Sequence, residues 1–141
     1  MADDGGLSRI QRRLNAIPKR LKERMGAVAV EEAEKIAADM KAFAEASRDT
    51  GDLIDSITVT GPGQVTPPYS QPGGMTKVSD TGAMITAGNE EVRYPHLVEY
   101  GTDTAPAQPF FWPAVDLNKR KVQLRLRREA RKAVREQWGK K

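Results

Sequence analysis

YPHLVEYGTDTAPAQPFFWPAV, residues 94–115, is the stretch on which the reading of this chain turns. Tyr94, Tyr100, Phe110, Phe111 and Trp112 share it with four prolines and one glycine, directly before a long basic segment. An active-site loop, a base-stacking platform and a packing corner are the three candidates. Gly101 permits a sharp turn, and Pro106, Pro109 and Pro113 fix a bend. Glu99 either pairs with a base or caps backbone N–H groups beside it. The rings at 110–112 then wedge the last helix onto a sheet, each burying a large area. The packing corner, with one or two rings left over for a neighbouring subunit, is the preferred reading. A stacking platform would need rings exposed on a basic sheet face.

Upstream, Leu7, Ile10, Leu14 and Ile17 recur at helical spacing, and Pro18 interrupts them. A second, longer amphipathic helix is predicted over 19–47, with Leu21, Met25, Val28, Ile36, Met40 and Phe43 on one face and Gly26 as a local weak point. The TGDLIDSI run at 50–57 reads as a capped turn, with Asp49 or Thr50 at its start. SITVT (56–60) and AMITA (83–87) read as strands, and 75–78 as a further short one. Residues 61–74 hold four prolines and four glycines, which predicts a long flexible loop with Tyr69 exposed. Residues 92–100 are a strand, or a short helix feeding a strand. Pro113 fits the first turn of a last helix, whose apolar stripe is Val115, Val122, Leu126, Ala130, Ala133 and Trp138. The expected fold is one α+β domain over 1–141, with residues 1–6 frayed. It has a long N-terminal helix, a small antiparallel sheet with a long Pro/Gly loop, and a basic helix over 117–141.

Charge is divided unevenly. Residues 117–141 carry eleven Lys or Arg and two acids, a net of +9, and residues 1–116 a net of −5, together the formal +4. Such asymmetry points to a nucleic acid or an acidic protein surface as partner. Arg125, Arg127, Arg128, Arg131, Lys132 and Arg135 are the candidate contacts. Attraction between the acidic body of one subunit and the basic tail of the next is a further expectation. With 38% hydrophobic and 30% charged residues, the domain is expected to finish its core against a partner or a second copy. The chain has no cysteine, no apolar run of membrane-spanning length and no signal-peptide pattern, so residence in a cytoplasm is expected.

Catalytic signals are weak. His96 is the single histidine, and without a second His or a Cys a zinc site is not expected. No GxxxxGK[ST] or GxGxxG run is present, and no serine sits in a strand–turn–helix elbow. A structural or exposed His96, no cofactor and no enzyme activity are the expectations.

Two motifs in this order resemble the tail-component family of long-tailed bacteriophages related to phage HK97. Thr50, Gly51, Leu53, Ser56 and Ile57 fit a TG-x-L-x-x-S-I pattern after a long helix. Tyr94, Glu99, Gly101 and Thr102 fit Y-A-x-x-x-E-x-G-T, with Pro95 where alanine is commoner. Ala107, Pro109 and Phe110 fit P-A-x-P-F, and Pro113 and Ala114 follow. The resemblance runs from about residue 20 to 135, with 61–74 as an insertion. It implies a structural virion protein of the head–tail neck or of tail completion, in a homo-oligomeric, hexameric ring through which double-stranded DNA passes. Other neck, tail-terminator and tail-tube proteins would be partners, with assembly in the bacterial host cytoplasm. A small DNA-binding protein using the basic helix is the alternative.

Overall fold

The computed structural model describes residues 6–47 and 51–139. Thr50 and Asp49, and with them the expected side-chain cap of the TGDLIDSI turn, lie outside the described residues. The fold is α+β. Helix α1 (Leu7–Ala44) continues into a 3₁₀ turn (Glu45–Ser47). Helix α2 (Asp52–Asp55), strands β1 (Thr58–Thr60) and β2 (Met84–Thr86), helix α3 (Pro95–Tyr100) and helix α4 (Phe111–Gly139) follow.

Helix α1 corrects the expected break at Pro18, for it runs unbroken through that residue. An interior proline forfeits one i→i−4 bond and crowds the carbonyl four residues back, at a cost of about 3 kcal/mol. Here strong helix formers stand on both sides, and the helix is roughly 57 Å long at 1.5 Å per residue. Gly26 serves packing. A Cβ there would meet Pro62 Cγ at 2.9 Å, so the missing side chain lets the loop after β1 press against the helix. The buried face of α1 is Val28, Ala33, Ile36, Ala37, Met40 and Ala44, and Phe43 lies outside it at 39% exposure. The small alanines bring the rest of the fold close to the helix.

Met40 and Phe110, both fully buried, anchor the core, joined by Ile36, Leu53, Ile57, Ala87, Phe111 and Ala114. Strands β1 and β2 pair antiparallel in the register Thr58↔Thr86, Val59↔Ile85 and Thr60↔Met84. The strand expected over 75–78 reduces to an isolated bridge, Val65↔Lys77. Residues 61–74 form no regular strand, as their composition suggests, yet they are tied down from within. Thr66 is buried. Its hydroxyl donates to Gly73 O at 2.6 Å and accepts from Thr76 N at 2.9 Å. Gln71 exchanges two backbone bonds with Ala87 beyond the end of β2. Tyr69 is exposed, with the Arg93 guanidinium 3.8 Å from its ring centre.

Of the two readings of 92–100, the helix is the one formed. Pro95 occupies the first turn of α3, where its missing N–H costs nothing, and Gly101 ends the helix. No strand follows; the chain instead loops through 101–110 into α4. Helix α4 begins six residues before the basic segment and packs antiparallel along α1. This sets Asn118 beside Asp39 and Glu129 beside Arg24.

Candidate functional site

The motif residues divide between two joints. At the first, Gly51 precedes α2 with φ 91°, in the left-handed region that glycine enters without strain. Ser56 is buried. Its hydroxyl donates to Leu53 O at 2.6 Å and accepts from Gly88 N at 2.9 Å. One hydroxyl thus closes α2 and ties it to the turn after β2. Leu53 and Ile57 point into the core from the same turn.

At the second joint Glu99 is the central group. Its side chain is buried, and Oε2 accepts from the N–H groups of Phe110 (2.8 Å) and Phe111 (2.9 Å), Oε1 from Trp112 (3.1 Å). The start of a helix leaves four backbone N–H groups without partners. Here Glu99 takes three of them, and the fourth position is Pro113, which has none. Negative charge at a helix N-terminus also complements the helix dipole. Glu99 therefore caps backbone N–H groups and, among the described residues, pairs with no base.

The loop between α3 and α4 folds back on α3. Gly101 N donates to Leu97 O, Thr102 N to Ala105 O, and Gln108 N to Val98 O. The Thr102 hydroxyl accepts from Ala105 N at 3.0 Å. Gly101 has φ 79°, and a Cβ there would lie 2.7 Å from Ala107 N. Ala107, Pro109 and Pro113 are exposed at the bend, and Ala114 is fully buried.

The rings separate by depth. Phe110 and Phe111 are buried edge to face, with ring centres 6.3 Å apart. Trp112, Tyr100, Tyr94 and Leu97 stand on the surface. Trp112 Nε1 donates to Tyr100 Oη at 2.8 Å, which holds the two outer rings together. These rings border an open, mostly apolar cavity of about 270 Å³ whose wall includes Pro72, Pro95, His96 and Phe110. His96 is exposed, with Nδ1 2.9 Å from the Gln71 side-chain amide nitrogen, so Nδ1 is the acceptor.

Helix α4 carries the candidate cations, and the structure separates them. Arg125 turns inward and pairs with Glu31 and Glu32 of α1. The hydrogen bond from Arg125 holds the Glu32 carboxyl below the usual carboxylate range, against the opposing effect of burial. Arg24 likewise lowers Glu129 by a hydrogen bond at 2.8 Å and lies 3.8 Å from Glu136. Part of the attraction expected between subunits is thus made within one chain. Arg127, Arg128, Arg131, Lys132 and Arg135 are exposed and form no ion pair among the described residues. Arg125 was among the candidate contacts, but the other members of this inward polar strip, Asn118, Glu129 and Glu136, were not singled out in the sequence. Its signal is helical spacing on the side of Val122, within the apolar face itself.

Among the described residues no cluster of three or more His, Asp or Glu could hold a metal ion, and no helix is long and apolar enough to cross a membrane. What the geometry defines is a helical scaffold with two tightly specified joints and an aromatic rim. The model of the family described as "Bacteriophage HK97-gp10, putative tail-component" matches residues 8–101, and the chain belongs to that family. No curated protein and no solved structure gives a significant match. The matched span covers α1 to α3 and ends at Gly101. It begins earlier than the resemblance drawn from the motifs and ends earlier, leaving Pro109, Phe110, Pro113 and α4 beyond it. The family is one of phage tail components, which places the protein in the virion with a structural role.

Proposed function

We propose that this tail component is a ring-forming subunit at the head–tail neck or at the completed end of the tail. The ring is a homo-oligomer, six-fold to match the tail tube. It lets double-stranded DNA pass and docks on neighbouring neck, tail-terminator and tail-tube proteins. The observation that supports this most is the aromatic rim. Tyr100 (68%) and Trp112 (42%) are exposed side by side on the wall of an apolar cavity, with exposed Leu97 (45%) one turn back along α3, on a corner fixed by Glu99. Grouped apolar surface on a rigid base suits contact with another subunit. The exposed part of Trp112 and Tyr100 is then what a neighbouring copy covers.

Deletion of the gene in a producing strain, followed by electron microscopy, tests the role. Packaged heads and separate tails side by side are expected, and abnormal tail ends would narrow the role to tail completion. Joined particles of normal form would rule it out. Sedimentation of the purified chain, alone and with tail-tube protein, tests the ring.

A further inference from the structure

We infer that the outward face of α4 is a sequence-independent contact surface for the phosphates of duplex DNA. The inference rests on the proposed neck role for where duplex is met, and on the charge geometry of α4 for the contact itself. At 3.6 residues per turn, Arg120, Lys121, Arg127, Arg128, Arg131, Lys132 and Arg135 fall within an arc of about 140°. All seven are exposed. They extend over roughly 22 Å of helix at 1.5 Å per residue. No carboxylate shares that arc. The two acids of this half of the helix, Glu129 and Glu136, lie just outside it, within reach of Arg24 of α1. Inward Arg125 is occupied by Glu31 and Glu32. Acids are therefore neutralised against the scaffold while the cations are left to solvent. The antiparallel packing also sets exposed Lys19, Arg20 and Lys22 of α1 level with the outer end of α4, with Glu23 the one acid among them.

Three features select duplex phosphate over other anionic partners. Five of the seven cations are arginines, whose planar fork binds phosphate oxygens bidentately. Leu117 and Leu124 are exposed within the same arc but in the half of α4 nearer the core, whereas from Arg127 to Arg135 every exposed residue is a cation. A protein interface would be expected to centre on apolar groups. Finally, among the described side chains the arc has no aromatic ring for base stacking, and Asn118 is turned inward to Asp39. The contact is thus to the backbone of a duplex and is blind to sequence.

The test is binding of the full chain to a fluorescent duplex of mixed sequence at rising salt. With five to seven phosphates neutralised, log K should fall against log[salt] with a slope of about −4.5 to −6. The set Arg127→Gln, Arg131→Gln and Arg135→Gln keeps helix-forming residues. It should make that slope shallower by about 3 and weaken binding at least tenfold at moderate salt. The matched set Lys41→Gln, Lys77→Gln and Lys119→Gln removes the same charge elsewhere and should bind nearly as the parent does. Circular dichroism confirms that both sets remain folded. Equal weakening by the two sets, or no binding at low salt, overturns the inference. So does binding of polyglutamate as tight as that of duplex, which would assign the face to an acidic protein. Any of these results leaves the neck role standing, since that is scored on particles. Joined, normal particles after gene deletion would remove the neck role while duplex binding by the purified chain stood.

Discussion

The two ends of the α1–α4 pair are held by different forces. At the inner end, Phe110, Phe111, Ala114 and Met40 exclude water, and Glu99 meets the start of α4 in a buried site. At the outer end the helices meet through Arg24–Glu129 and through Arg125 with Glu31 and Glu32, in partial contact with solvent. The apolar contacts of the first end depend little on salt or pH. The second end responds to both, because exposed ion pairs are screened and carboxylates titrate. One pair of helices thus combines a rigid base with a responsive arm.

Substitutions that break this contrast should have their largest effect at the inner end. Phe110→Ala should cost about 3–5 kcal/mol of unfolding free energy, read from denaturant melts, because it empties a fully buried ring site. Glu99→Gln keeps the volume but loses the charge and one acceptor under three N–H groups. A cost of about 2–3 kcal/mol is expected, with hydrogen exchange accelerated first at Phe110–Trp112. Gly101→Ala forces a Cβ onto Ala107 N at a positive φ and should cost about 1–3 kcal/mol by the same measurement. At the outer end the effect should appear as pH dependence. Glu32 and Glu129 are held below their ordinary value, about 4.3, so the unfolded chain takes up protons first as pH drops. The pairs contribute fully above that value, and their contribution is lost as pH falls through the lowered, folded pKa. Glu32→Gln should flatten this acid-side decline in urea midpoint between pH 5 and pH 3 while leaving the inner end intact. The smallest effect is expected from Trp112→Phe, which keeps an aromatic ring but loses the bond to Tyr100. Stability should change by no more than about 0.5 kcal/mol. A reduced tendency to associate, read by sedimentation, would mark the rim as an interface.

These contrasts also show what was legible in the sequence. Period-3.6 patterning revealed both long helices, since burial of a helical face leaves a local trace. The β-branched runs revealed β1 and β2 for the same reason. Pro18 misled because its local cost, about 3 kcal/mol, is outweighed by the many bonds and contacts of a 38-residue helix. Residues 61–74 looked unpacked because the bonds that tie them, Thr66 with Thr76 and Gln71 with Ala87, are set by tertiary pairing and not by composition. At the corner, glycine and prolines marked the bend, and Glu99 could be narrowed to two roles. Choosing between them required knowing that the chain returns to it eleven to thirteen residues later. On α4 the abundance of cations was plain, but which arginine faced a partner in its own chain depended on α1, almost a hundred positions away.

The capped start of α4 also acts as a fulcrum. Helix α4 is 29 residues long, or about 43 Å at 1.5 Å per residue, and its direction is set where Glu99 grips Phe110–Trp112. A tilt of about 5° at that point carries the far tip through roughly 4 Å, close to the reach of an ion pair. A tilt imposed there would therefore be felt most at the Arg24 and Arg125 contacts, which hold the outer part of α4 to α1.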